Sequence, residues 1–270
     1  MHDVLIALQT DLASSIALRF ICQIEKFGQF NTQVVHVPDL DKDGHPPAVG
    51  WVNKIWEDEI VEKAREDISK LIQKENIVRD TLRSPIVLLG ERDEVIQSEL
   101  QYKAYDIFME GLLHSFEPDM FFIKLDSDLY QNLLCPILMV KNLVKLDRGI
   151  QVVGTPDTIP LLMPWFYKFW KDQPLKVEVF ICQFDNQAES ITILENDNQL
   201  VSDIENGGLG DRTAPYTIKT AKGSAKMLAS LVRDQALVMS FVPKSIDNLA
   251  HMLAMSPCPI LFCPEEKSQR

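Results

Sequence analysis

The chain lacks what is needed to hold nucleic acid or lipid. It has no block of lysine and arginine. Its 27 basic side chains are outweighed by 39 acidic ones, giving a formal charge of −12. A surface of that sign repels phosphate backbones and anionic headgroups, so no nucleic acid and no membrane is expected as a partner. No uncharged apolar run approaches the roughly 20 residues that span a bilayer. The opening "MHDVLIALQTD" carries no basic segment ahead of its apolar stretch, so it is not read as a signal peptide, and a cytoplasmic location is expected. Cysteine is sparse and scattered: Cys22, Cys135, Cys182, Cys258 and Cys263. An odd, dispersed set does not make a disulfide framework, and four of the five lie in apolar runs, where a thiol behaves as a small buried hydrophobe. Cys258 and Cys263 are the one pair close enough to suggest a shared metal, but a strand sends residues five apart to opposite faces. No metal site is expected.

Catalytic signatures are missing as well. Ser224 in "KGSAK" lacks the first glycine of a phosphate-binding loop, and there is no G-x-S-x-G elbow. His2, His36, His45, His114 and His251 form no H-E-x-x-H pair and adjoin no cysteine at metal-like spacing. No nucleophile, base and orienting residue can be grouped, so no catalytic residue and no enzymatic activity are assigned. "DLDKDG", residues 39–44, resembles the start of an EF-hand loop. Its twelfth position would be Gly50, where a bidentate glutamate is needed, and Pro46 and Pro47 interrupt it. It reads as a solvated acidic loop.

What is present is a regular alternation. "DVLIAL" is a β-prone apolar run of the kind buried on both faces in a parallel sheet. Behind it, Ile16, Ala17, Phe20, Ile21 and Ile24 fall at helical spacing, and Gly28 supplies a stop. "TQVVHV" is a second strand. Trp56, Ile60, Val61, Ala64, Ile68, Leu71 and Ile72 form one apolar stripe on an otherwise charged helix. "PIVLLG" is a third strand. The spacing from Arg92 to about Phe116 predicts a helix of some six turns, "DMFFIKL" a fourth strand, "DSDLYQNLL" a short helix and "CPILMV" a fifth strand. This order implies a parallel sheet with helices on both faces.

The pattern then restarts. "RGIQVVGTPD" lies on "HDVLIALQTD", with Asp157 over Asp11. "WFYKFWKD", "KVEVFIC", "PYTIKT", "SAKMLASLV", "QALVMSF", "SIDNLAHMLAM" and "CPILFC" continue as helix, strand, strand, helix, strand, helix and strand. The chain reads as a diverged internal duplication, with one domain over residues 1–142 and a second over 148–270, joined by the short "KNLVKLD". The second half departs in "ESITILENDNQLVSDI", where a β-hairpin is expected in place of the charged helix. Five aromatics within residues 165–170 are read as core packing, with an exposed partner-binding patch as the other reading.

A five-stranded α/β unit closing on "CP" and an apolar strand resembles the universal stress protein family. The residues that carry this are "DVLIAL", "VVHV", "VLLG", "PDMFFIKL" and "CPILMV", then "IQVVGTPD", "VEVFIC", "QALVMSF" and "SPCPILFC". The resemblance covers nearly the whole chain as a tandem pair. It implies two Rossmann-like domains of the adenine-nucleotide-alpha-hydrolase type, each with a parallel five-stranded sheet of order 3-2-1-4-5 flanked by helices, and pseudo-two-fold pairing through the fifth strands. The family has nucleotide-binding and non-binding forms. In binding members the first strand ends in Asp, then a small residue and Ser/Thr. The fourth strand runs into G-x-x-G, about nine residues, then G-S/T.

This chain departs from that pattern. "KLDSDLYQNLLCP" and "VPKSIDNLAHMLAMSPCP" follow the predicted fourth strands without a glycine, and Asp126 and Asp128 would repel phosphate. Gln9-Thr10-Asp11 and Thr155-Pro156-Asp157 stand at the first-strand ends. No cofactor is therefore expected, and ATP through an altered pocket is the alternative. The residues that would face such a cleft, by position, are Gln9, Thr10, Asp11, Val37 and Gly90. His36, at the cleft end of the second strand, is read as structural. The resemblance implies a stress-response factor acting through contacts with protein partners that the sequence does not identify. An apolar-ligand sensor in the second cleft is a third reading. The repeat of Cys-Pro-Ile-Leu at residues 135 and 258 has its own explanation. A fifth strand is an apolar edge, and two such edges solve each other's exposure by pairing, which makes an internal pseudo-dimer; a homodimer is the other outcome.

Overall fold

The computed structural model describes residues 1–24, 29–39, 51–75, 82–113, 118–144, 148–170, 175–195, 198–206 and 216–265. The stop at Gly28, most of the acidic loop 39–44, His45 and His114 lie outside them. Contacts divide the chain into two units, Met1–Gly111 and Leu112–Arg270. Residues 112–142, which close the first half of the sequence, thus pack within the second unit.

The first unit holds β1 (His2–Ala7), α1 (Leu12–Ile24), β2 (Phe30–His36), α2 (Trp51–Lys74), β3 (Leu82–Val87), α3 (Arg92–Tyr102) and β4 (Ile107–Gly111). Its strands run parallel in the order β3-β2-β1-β4. Successive residues Val4, Leu5 and Ile6 are all buried, as two covered faces require. On α1, Ala17, Phe20, Ile21 and Ile24 are buried at the spacing that predicted the helix. Ala64 and Ile68 bury the stripe of α2. β3 starts three residues earlier than expected because Pro85 does not end it: the pairing with β2 slips between Gln33 and Val35, a place where a missing N–H is tolerated. The Gln33 amide reaches across and donates to the Ser84 carbonyl at 2.8 Å.

Two elements differ from the sequence reading. The six-turn helix from Arg92 stops at Tyr102, and the fourth strand is β4, "IFMEG". "DMFFIKL" is instead a helix, α4 (Pro118–Leu125), which buries Phe121 and Leu125 and exposes Met120 and Ile123. A run of four apolar residues fits either structure, and here burial at i and i+4 decides for the helix. The fourth strand therefore ends in Gly111 and runs into Leu112-Leu113, while Asp126 lies in the turn between α4 and α5 (Asp128–Gln131) and Asp128 opens α5.

The second unit continues with β5 (Ile137–Val140), β6 (Ile150–Gly154), α6 (Ile159–Trp170), β7 (Val177–Phe184), β8 (Thr192–Leu194), α7 (Asn198–Asn206), β9 (Tyr216–Gly223), α8 (Ala225–Val232), β10 (Leu237–Phe241), α9 (Asn248–Met255) and β11 (Ile260–Cys263). Strands β9-β7-β6-β10-β11 are parallel and reproduce the 3-2-1-4-5 order. The expected hairpin is half right. "TIL" is strand β8, antiparallel to β9, but "NQLVSDIEN" is helix α7 with Ile204 fully buried. The aromatic run packs Phe166, Phe169 and Trp170 into the core. Trp165 is half-buried, and its indole N–H donates to the Pro264 carbonyl at 3.1 Å.

β5 pairs with β11, antiparallel: Ile137 faces Phe262, Leu138 faces Leu261 and Met139 faces Ile260. The three pairs are symmetric about a pivot at Leu138–Leu261: Ile137 meets the counterpart of Met139, and Met139 meets the counterpart of Ile137. That is a self-complementary register. All eight residues of the two strands are buried.

Buried polar side chains finish the helix ends next to this seam. Lys141, directly after β5, donates from Nζ to the carbonyls of Leu253 (2.8 Å), Ala254 (3.2 Å) and Ser256 (2.9 Å) at the end of α9. Its ammonium also lies 4.4 Å from the centre of the Phe121 ring. Burial pulls its pKa down to about 7. Cys258 does the same for α8, its thiol donating to the carbonyls of Val232 (3.1 Å) and Arg233 (3.2 Å). The five cysteines are free; four are buried, and burial raises the thiols of Cys182, Cys258 and Cys263.

Candidate functional site

In an open parallel sheet the carboxyl ends of the strands form the natural ligand crevice. In the first unit that edge gathers the ends of β3, β2, β1 and β4. Gln9, just past β1, donates from its side-chain amide to the Val37 carbonyl at 2.9 Å, so two of the five positional candidates are tied together across the strand ends. The Gln9 N–H is taken by Ser14 Oγ at 2.7 Å. Asp11 accepts from the Ser14 N–H at 2.8 Å and closes the start of α1. Thr10 is exposed. Gly90 has φ +134°, and a Cβ there would lie 2.9 Å from Val95 Cγ1. It lets the chain turn from β3 into α3. His36 is buried, and its Nδ1 must carry the proton, because its partner at 2.8 Å is the Leu8 carbonyl. Burial lowers the imidazole below its ordinary range, and the hydrogen bond only partly opposes this. The ring spans β2 to β1 as a structural tie.

The strongest charge feature of this edge comes from residues that sequence reasoning missed. Glu110, the fourth residue of β4, faces Ala7 of β1. Its side chain is only 4% exposed and forms an ion pair with Arg92, the first residue of α3. Arg92 also bonds Asp93 at 3.0 Å. A carboxylate in so little water needs a partner, and the guanidinium supplies it. The signal was a lone acid inside the apolar run "IFMEGLL", which a helical reading sends to solvent. Gly111 follows. A Cβ on it would sit 2.2 Å from the Ala13 carbonyl oxygen, so the glycine is needed for the close approach of α1 to β4.

The corresponding edge of the second unit is built differently. Thr158 Oγ1 takes the Thr155 N–H at 2.8 Å, doing for α6 what Ser14 does for α1. Asp185, past β7, pairs with Lys222 of β9 at 3.0 Å, a contact that lowers its pKa. The fourth residue of β10 is Ser240, fully buried, with no hydrogen-bond partner for its hydroxyl. The first residue of α8 is Ala225. β10 then runs into Val242-Pro243, not into glycine. Among the described residues no three His, Cys, Asp or Glu side chains converge as a metal site would need.

No protein-family model matches the chain, and no curated protein matches it. Solved structures do. A universal stress protein from Archaeoglobus fulgidus superposes with a TM-score of 0.60 at 12% identity, covering 98% of this chain and 96% of that one. A functionally unknown protein from Pseudomonas aeruginosa superposes at 0.51 and 12% identity, over 97% and 92%. The chain thus has the fold of a universal stress protein over nearly its whole length.

Proposed function

We propose that this chain is a tandem, cytoplasmic stress-response factor of the universal stress type that does not bind ATP in that family's manner and acts through protein–protein contacts. The observation that carries the reading is the Arg92–Glu110 pair. It puts a buried carboxylate at the end of β4, on the edge where a nucleotide's phosphates would be cradled, and it commits the nearby cation. Gln9 bridges the neighbouring strand ends, and β10 ends in Phe241 where β4 ends in Gly111. The contact half of the reading is supported by α4, which leaves Met120 and Ile123 exposed one turn apart. No described helix is long and apolar enough to cross a membrane.

The second reading, an adenine nucleotide in an altered pocket, draws on Gly111, which stands where the family's glycine loop begins. Its missing side chain is already accounted for by Ala13. The apolar-sensor reading loses its premise, since α7 is a helix and not the second arm of a hairpin. The test is to purify the protein without added nucleotide, measure the absorbance ratio and bound species by mass spectrometry, then titrate Mg-ATP by calorimetry and thermal shift. The expected result is no carried nucleotide, no binding heat and an unchanged Tm at millimolar ATP. Stoichiometric adenine nucleotide in either experiment overturns the reading.

A further inference from the structure

The second unit contains a cavity of about 620 Å³, within the range of small-molecule sites. It does not lie on the crevice edge. Arg148 precedes β6, Arg233 and Asp234 precede β10, and Pro257 precedes β11, so the cavity opens at the amino ends of these strands.

One wall is a single face of α8 and the turn after it. Lys226, Ala229, Ser230 and Arg233 recur at i, i+3, i+4 and i+7, which stacks them along one side of a helix. Buried Ala229 and exposed Ser230 lie between the cations, which stand at either end, about 10 Å apart along the axis. Leu143, Val144 and Met255 supply apolar surface opposite. Arg148 is bonded to Asp234 at 3.1 Å, which neutralises that pair. Lys226 and Arg233 form no ion pair among the described residues. Among the described residues the lining thus carries three basic side chains and one acidic one, in a chain of −12.

Both cations are exposed, and neither serves a helix end. Lys226 sits in the first turn of α8, where the helix dipole disfavours positive charge. Arg233 stands at the other end, where a cation would ordinarily serve the last carbonyls, but the Cys258 thiol already donates to those of Val232 and Arg233. Both are left directed by neither capping nor pairing.

We infer that this groove binds a small, elongated amphiphilic anion, with an acidic head held by Lys226 or Arg233 and an apolar body laid over Ala229 against Leu143, Val144 and Met255. The site is independent of the crevice at the strand carboxyl ends. The test uses the full chain and 8-anilinonaphthalene-1-sulfonate as the probe, followed by fluorescence, with decanoate as competitor. Saturable binding at one site, displaced by decanoate, is expected. The double variant Lys226→Glu/Arg233→Glu should weaken it at least tenfold, and Ser230→Trp should block it by crowding the groove between the two cations, both with circular dichroism and Tm unchanged. Lys63→Glu, a charge change of the same sign on α2, should leave it intact. Non-saturable binding, indifference to the groove variants, or equal weakening by Lys63→Glu overturns the proposal. Should the double variant be unfolded, Ser230→Trp decides by the same criterion.

Discussion

The last strands of the two halves of the sequence are near twins, while the fourth strands are not. β5 and β11 offer Ile-Leu-Met and Ile-Leu-Phe to each other in a register that repeats itself on rotation. β4 and β10 each pair with the first strand of their half, yet the fourth residue is a buried glutamate in one and a buried serine in the other. The matching first helical residues are Arg92 and Ala225. The seam has little freedom, because each side chain must fit the mirror position of the other copy. A strand end is freer: β4 carries a buried charge with its partner, and β10 tolerates a small buried hydroxyl with none.

The largest expected effect comes from breaking the twinned region. Ile260 is fully buried opposite Met139, so Ile260→Lys strands an unpaired ammonium and should cost more than about 4 kcal/mol, enough to unfold or aggregate the protein. Ile137→Lys should do the same, while Ile260→Val should cost only about 1 kcal/mol. Chemical denaturation with size-exclusion chromatography reads all three. A lysine variant as stable as the parent would remove the seam from the account.

Next is the divergent pair. Arg92→Ala leaves the Glu110 carboxylate buried and alone, and should cost about 2–4 kcal/mol. Arg92→Ala with Glu110→Ser copies the solution of β10 into β4 and should recover most of that loss. Additive losses in this double-mutant cycle would mean the pair is not coupled.

Lys141 gives the third, a pH dependence. Its pKa lies at about 7 in the fold, below the ordinary lysine value. Between about pH 10 and 7 the unfolded chain therefore holds a proton that the folded chain lacks. Stability should fall as pH drops through that window, by up to about 1.4 kcal/mol per unit, and level off below 7. Lys141→Met removes this slope. It also removes the donor from a site where the neutral amine can serve two of the three carbonyls, so at pH 10 it should be less stable than the parent by about 1–3 kcal/mol, with the gap narrowing toward neutrality. Parallel urea titrations at pH 7, 8.5 and 10 would expose a gap that widens instead. The smallest effect belongs to Ser240→Ala, which deletes the unpartnered hydroxyl and should stabilise by about 0.5–1 kcal/mol, visible as a small rise in Tm.

Continuous apolar runs such as "DVLIAL" and "VEVFIC" made the central strands legible, because burial on both faces leaves them no other reading. The Cys-Pro-Ile-Leu repeat announced the seam for the same reason. The fourth strand was missed because Ala104, Ile107, Phe108 and Leu112 fall by chance at helical spacing, and four apolar residues at 120–123 imitate a strand. Short runs do not carry a period, and only packing resolves them. That slip hid Glu110 and Arg92, which lie 18 residues apart and meet only once β4 is laid beside β1. The groove on α8 was hidden for a related reason: its walls come from three separated segments, and spacing marks only one of them.

A ribbon that fits its mate after a half-turn also fits a copy of itself. Ile137-Leu138-Met139 could lie against the same three residues of another molecule with leucine again on the pivot, and Ile260-Leu261-Phe262 likewise. Whenever heat or denaturant prises the two ribbons apart, each is already a template for exchange between chains, so the first oligomers formed on partial opening should be swapped dimers joined end to end.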